Sequence, residues 1–221
     1  MGTNVSGVES NGAATRQTMS QPSFEDLEDF LQNLILPFYE IERDLSLPIQ
    51  NHRNENDAEH SWGLAVMALS LAPQIDPDLD IGKVTIYAVI HDLVEIFAGD
   101  TSVWAEQKHL DSKQSREKEA MKLLATRFSK FPYLIKSIQD YNKKDNSEAK
   151  FVYALDKFLA LLTLYKDKGY YYLRGRITKQ RFDKQFVLHR KKAHSHPDIA
   201  YYYEQLVKSF DNHPEYFYQE K

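Results

Sequence analysis

Apolar positions recur at helical spacing along most of the chain. Phe24, Leu27, Phe30, Leu31, Leu34 and Ile35 form one stripe behind Ser23, a good N-cap followed by Glu25 and Asp26, which predicts a first helix ended by Pro37. The polar, proline-marked stretch from Pro37 to Asp57 reads as a long loop, and loops of that length in a compact domain are often functional. "AEHSWGLAVMALSLA" predicts a second helix, capped by Asp57 and closed by Pro73. "IGKVTIYAVIHDLVEIFA" predicts a third, capped by Asp80 and closed by Gly99, and it is apolar nearly all round, as a buried central helix is. Further helices are expected over 112–128, 132–141, 147–166 and 197–210, with a tyrosine-rich basic linker over 169–196. No strand-period alternation stands out. The expected fold is all-α: one helical domain over 23–221 behind a Ser/Asn/Thr/Gly-rich leader, 1–22, read as disordered.

Composition narrows the function classes. The 221 residues carry 28 basic and 32 acidic side chains, a net charge of -4, which gives no electrostatic footprint for nucleic acid or an anionic membrane. The chain has no cysteine, so disulfides, thiolate catalysis and sulfur-ligated zinc are excluded and any metal must be held by nitrogen and oxygen. Apolar runs such as "FLALLTLY" are far shorter than the roughly 20 residues that span a bilayer. A cytoplasmic location is the expectation. Met1-Gly2 with Ser6 fits the loose myristoylation pattern, which is common by chance.

Against this background "VIHDLVEIFAGD" is anomalous, because His91, Asp92 and Glu95 interrupt an apolar helix and Asp100 follows a glycine. Buried carboxylates are costly unless paired or bound to a metal. His91 and Glu95, four residues apart, share a helix face, and Asp92 projects about 100° away. His60 and Asp156 stand in equally apolar helices. A lone histidine in such a helix is more often a hydrogen-bonded core residue than a ligand. Four such residues in separate apolar segments are a different matter: two imidazoles and two carboxylates suit Mn, Co, Fe, Zn or Mg.

These residues resemble the HD-domain phosphohydrolase superfamily, in which an isolated His, a His-Asp pair and a distant Asp bind one divalent ion in a helical bundle. "RNENDAEHSW", "HDLVEIFAGD" and "SEAKFVYALDKF" look most like its 5'-deoxynucleotidase branch. The resemblance implies metal ligation by His60, His91, Asp92 and Asp156. It also implies water activation by Glu95, a catalytic or substrate-contacting carboxylate at Asp100, and a phosphate contact from Arg53. Arg43 matches an upstream substrate-contacting arginine, but Asp44 stands where that pattern has a bulky aromatic, and weaker selection among sugars is expected. The implied reaction is hydrolysis of nucleoside or deoxynucleoside 5'-monophosphates by a homodimer. The alternatives are hydrolysis of another phosphorylated nucleotide, an alarmone or a nucleoside triphosphate, and a metal-bound non-catalytic binding protein; an alarmone hydrolase would show a second acid where Ile96 stands, a cyclic-dinucleotide hydrolase a Gly-Tyr-Pro tripeptide, and a metal-bound scaffold would not need Glu95 and Asp100. His52, His109, His189, His194, His196, His213 and the basic run "HRKKAHSH" read as solvated surface.

Overall fold

The structure, a computed structural model, describes residues 21–220. The leader reading therefore falls mainly outside the described residues. The chain is all-α apart from one short hairpin, and among the described residues no helix is long and apolar enough to cross a membrane.

The first helical segment starts as expected. Ser23 and Asp26 form a reciprocal capping box ahead of α1 (Phe24–Phe30). Pro37 does not stop it. A π-helical turn (Leu31–Ile35) intervenes, and the helix resumes as α2 (Leu36–Tyr39) with Pro37 in its first turn. A proline ring clashes with the carbonyl four residues back, and widening the preceding turn relieves that clash.

The expected loop contains an antiparallel hairpin of β1 (Glu42–Ser46) and β2 (Asn54–Asn56). Its register pairs Glu42 with Asn56 and Ser46 with Asn54, so Arg43, Asp44 and Leu45 lie opposite Glu55 alone. A bulge of this kind bends a strand and re-aims its side chains. Here it directs Arg43 toward the helices. The strands are short, polar and irregular, so alternation never becomes visible in the sequence.

α3 (Asp57–Ile75) is capped by Asn56 rather than Asp57, and it continues past Pro73, whose missing N–H removes one ladder bond near the helix end. The predicted third helix is broken. α4 (Ile81–Ile90) is capped by Asp80, residues 91–94 form tight turns, and α5 (Glu95–Ala98) follows. The turns are closed by i→i+3 bonds from Leu93 N–H to the Ile90 carbonyl and from Glu95 N–H to the Asp92 carbonyl. Gly99 ends α5 with φ 73° and ψ 148°, an extended positive-φ conformation that glycine alone adopts easily, rather than a left-handed helical turn. Arg116 then secures the exit by donating to Thr101 Oγ1 at 2.7 Å.

α6 (Gln107–Arg127), α7 (Pro132–Lys143), α8 (Ser147–Lys166) and α11 (Pro197–Asp211) lie close to the expected spans. The supposed linker over 169–196 instead holds α9 (Tyr170–Arg174) and α10 (Lys179–Ala193). Thr178 caps α10, and Phe182 and Phe186, one turn apart, bury its apolar side. Two apolar clusters meet along α8. Val152 and Leu155 pack into one with α3, α4 and α7, and Leu161 and Leu164 pack into the other with α9, α10 and α11. Asp156 lies between them.

Candidate metal centre

The stretch Arg53 to His60 positions one imidazole. Asn56 accepts from Glu59 N–H at 2.9 Å and Glu59 accepts from Asn56 N–H at 3.1 Å, which fixes the start of α3. Arg53 closes on the same Glu59, with bonds of 2.8 and 2.5 Å. Glu55, buried opposite the β1 bulge, lies 3.1 Å from Nδ1 of His60. The carboxylate assigns the ring proton to Nδ1 and leaves Nε2 as a lone-pair donor, the usual orientation of a metal-ligating histidine. That nitrogen lies 3.0 Å from Asp156 Oδ1.

His91 is oriented in the same way by a backbone group. Its Nδ1 lies 2.9 Å from the Ala88 carbonyl, which can only accept, so in the neutral ring the proton sits on Nδ1 and Nε2 carries the lone pair. Buried Nε2 has no hydrogen-bond partner, although Asp92 Oδ2 is 2.9 Å away. The turn at 91–94 thus brings neighbouring side chains onto one target that a straight helix would set about 100° apart. Donor atoms of His60, His91 and Asp92 all lie within 4.8 Å of one another. Two ligands about 2.1 Å from one ion at right angles are about 3 Å apart. The orphaned His91 nitrogen, the 2.9 and 3.0 Å separations and the mixed N/O donor set fit a divalent ion held by His60, His91, Asp92 and Asp156.

Electrostatics support the same reading. Burial and the Arg43 charge push the His60 pKa down, but hydrogen bonds to Asp156 and Glu55 outweigh them and leave it above the usual histidine value. A proton in the His60–Asp156 contact is thus favoured when no metal occupies it. Burial alone would raise Asp92 and Asp156. Instead His91 and Arg43 hold Asp92 low, and Lys157, 2.5 Å from Asp156, holds that carboxylate well down.

Beside this set lies a second, acidic group. Asp57, Asp92 and Glu95 also bring carboxylate oxygens within 4.8 Å of one another. Asp57, the first residue of α3, is fully buried, and burial with the Asp92 charge pushes it up to about 7 despite Arg43 at 3.3 Å. Glu95 is 5% exposed, one of its oxygens is unpartnered, and burial and Asp92 raise its pKa well above the carboxylate range against Lys113 at 3.5 Å. Arg43 ties the groups together, donating to Asp92 at 2.8 Å.

A cavity of about 180 Å³ opens onto the cluster. Arg43, Asp92, Glu95, Asp100 and Asp156 line its charged end, and Leu45, Trp104, Leu161 and Phe186 its apolar end. Of the sequence-selected residues, Asp92, Asp156, Glu95, Asp100 and Arg43 reach that wall and Arg53 does not. Arg53 is half exposed and committed to Glu59, so its place is that of a helix-start clamp. Asp44 accepts from Ser102 at 2.6 Å, and aromatic surface comes from Trp104, Tyr171 and Phe186 instead.

Other residues escaped the sequence reading. Asp57 looked like a cap, and Lys113 stood in a polar surface helix. His189 is not solvated: it lines the cavity 2.9 Å from the Tyr203 hydroxyl, and burial with nearby Lys157 lowers it to about 3. His196 is also buried, 3.2 Å from Asp76 and edge-on to Phe151. Within "HRKKAHSH", Arg190 and His194 do pair with Glu204 at the surface, and Lys192, itself exposed, stands at the rim of the cavity. The signal available was the Phe182–Phe186 spacing, which would have defined a helix and its inward face.

Comparison with known proteins gives two positive findings. The HD domain family model matches residues 40–197. A solved structure described as a predicted metal-dependent phosphohydrolase from Magnetospirillum magnetotacticum MS-1 is similar to this chain, with 28% identity and a TM-score of 0.71, over 88% of this chain and 95% of that one. No curated protein matches.

Proposed function

The chain belongs to the HD domain family, and from that premise we propose that it is a metal-dependent phosphohydrolase that cleaves nucleoside or deoxynucleoside 5'-monophosphates to nucleoside and phosphate. The observation that carries this reading is the cluster of buried His60, His91 and Asp156 with half-buried Asp92, whose two carboxylates reach the wall of a half-apolar cavity. The similar solved protein is described as a predicted metal-dependent phosphohydrolase, in keeping with it.

A divalent ion held by those four residues would polarise a phosphoryl oxygen and acidify a bound water. The remaining work falls to the chain itself. Glu55 and the Ala88 carbonyl keep both imidazoles in the ligating tautomer. Glu95, one turn beyond His91, is assigned to take the proton of the attacking water, and its raised pKa makes it the stronger base. Arg43 and Lys113 face the same space and would offset phosphate charge. Asp100 is assigned to the substrate or leaving group beside Glu95. The apolar end would take the base and sugar. A second copy of the chain, which the family resemblance implies, has the exposed apolar face of Trp62, Val66 and Leu69 available to it.

Phosphate release from a panel of ribo- and deoxyribonucleoside 5'-monophosphates, beside phosphodiesters, with added Mn, Co or Mg tests the reading. Monoesters should be cleaved and diesters spared; binding without turnover would leave a metal-bound ligand sensor.

A further inference from the structure

Five carboxylates line the cavity, and the proposed reading uses four of them: Asp92 and Asp156 at the metal, Glu95 and Asp100 beside it. The fifth is Asp44. A carboxylate on the wall of a pocket for a phosphate dianion repels that group, so phosphate binding does not account for it. Asp44 is held in place all the same. Its Oδ2 accepts from the Ser102 hydroxyl at 2.6 Å, and that hydroxyl accepts from Trp104 N–H at 3.1 Å. The hydroxyl of buried Tyr171 approaches the same carboxylate, and burial followed by the Asp44 charge raises its pKa.

These contacts come from the protein side and leave the carboxylate incompletely used. Its two oxygens offer about four acceptor positions, and Ser102 and Tyr171 fill at most a pair of them. Asp44 is exposed, so the others are open to a ligand entering the cavity. Its place along the cavity follows from its neighbour. Arg43 precedes it on the bulged β1 strand and sends its guanidinium to Asp92 at 2.8 Å, at the cluster. Asp44 instead stands with Trp104 and Tyr171, on the apolar side. A phosphate beside the cluster and Arg43 therefore puts the group bonded to it, the sugar, next to Asp44, and the base beyond, toward Leu161 and Phe186. A ribose presents adjacent hydroxyl donors there, and a deoxyribose lacks one of them.

We infer that Asp44 is a sugar-reading residue, whose free acceptor positions take the vicinal 2'- and 3'-hydroxyls of a ribonucleoside 5'-monophosphate and so favour ribose over deoxyribose. The inference rests on the proposed reading in placing the phosphate at the cluster. An acidic side chain is a well-matched acceptor for ribose hydroxyls, and a deoxyribose leaves an acceptor position that faces it unpaired, which costs affinity. The sequence alone led to weaker selection among sugars; the placement of Asp44 gives that selection a direction instead.

Initial rates of the full, Mn-loaded chain on adenosine 5'-monophosphate and its 2'-deoxy analogue, and on the corresponding guanosine pair, test it. Wild type should show kcat/KM about tenfold or more higher for the ribose member of each pair, the scale of a hydrogen bond to a charged group, and Asp44→Ala should bring that ratio to within about twofold of one. A carboxylate that only tied down the Ser102 loop would, when removed, slow both sugars alike and leave the ratio. A wild-type ratio near one, a ratio retained by the variant, or a variant effect that sorts adenine from guanine with the sugar ratio unchanged would overturn the assignment. Calorimetric titration with adenosine and 2'-deoxyadenosine, which carry no phosphate, keeps the two ideas apart. Ribose preference in binding without turnover of any monophosphate would sink the proposed activity and leave Asp44 as the sugar reader, whereas turnover without sugar preference would do the reverse. Neither binding nor turnover would overturn both.

Discussion

Glu55 lies 3.1 Å from Nδ1 of His60, across the turn from the β-hairpin into α3. The contact holds the imidazole so that its other nitrogen faces Asp156, Asp92 and His91. Glu55→Ala should therefore weaken metal binding by about 10- to 100-fold, the usual scale for losing an orienting partner, while the fold persists. Metal titration of the chelated variant beside wild type checks it; unchanged affinity would show that Glu55 does not orient the ligand.

The two arginines separate cleanly. Arg53 is an exposed partner of Glu59, and such pairs contribute roughly 0–1 kcal/mol, so Arg53→Ala should shift stability slightly and leave kcat/KM within about threefold. Arg43 is nearly buried among Asp57, Asp92 and Glu55. Arg43→Ala strands those carboxylates, and removing one partner of a buried pair costs about 3–5 kcal/mol, so both stability and turnover should fall. A large loss of kcat/KM in Arg53→Ala would return that residue to the phosphate.

What the sequence revealed and concealed follows the same division. His60, His91, Asp92, Glu95 and Asp156 could be selected because each interrupts an apolar helical stripe, where burying a charge needs a reason. The sequence favoured Arg53 for the phosphate and the structure places Arg43 at the cavity instead, because both stand in a polar stretch without periodicity and their fates depend on a bulge that only pairing defines. The break at 91–94 was equally hidden, since its residues are compatible with a continuous helix and only the backbone bonding, i→i+3 at Leu93 and Glu95, shows the turn. His189 lay in a basic run that resembled solvated surface until α10 placed one of its faces inward.

Ligand and catalyst should part on substitution. His60→Ala and Asp156→Ala each remove a donor atom, so metal content and activity should fall together. Glu95→Gln keeps the side chain's size and should retain metal while kcat drops by about 10²-fold or more, the scale of a lost general base. Metal analysis beside kinetics decides it: loss of metal from Glu95→Gln would make Glu95 a ligand, and full turnover would remove it from the reaction.

Metal-free protein should lose stability as pH rises through neutrality. The His60 pKa is raised in the folded state, so its contribution is fully present below the unfolded value of 6.5 and is lost as pH rises through the folded one. Asp57, raised from 3.8 to about 7, acts in the same direction, because ionising it in the fold costs more than ionising it in the open chain. Melting chelated protein between about pH 6.5 and 8.5, above the range in which buried neutral His189 acts in the opposite direction, should show Tm falling with pH, and added metal should restore more at the alkaline end, where no proton competes for His60. A flat profile with equal metal stabilisation throughout would contradict the proton-for-metal exchange.

The most direct test of the account is nucleotide turnover against divalent metal. Protein stripped with chelator should release no phosphate from nucleoside 5'-monophosphates, and activity should return in proportion to bound Mn, Co or Mg up to one ion per chain. Hydrolysis at full rate by protein shown to be metal-free would contradict the assignment of His60, His91, Asp92 and Asp156 as its metal centre.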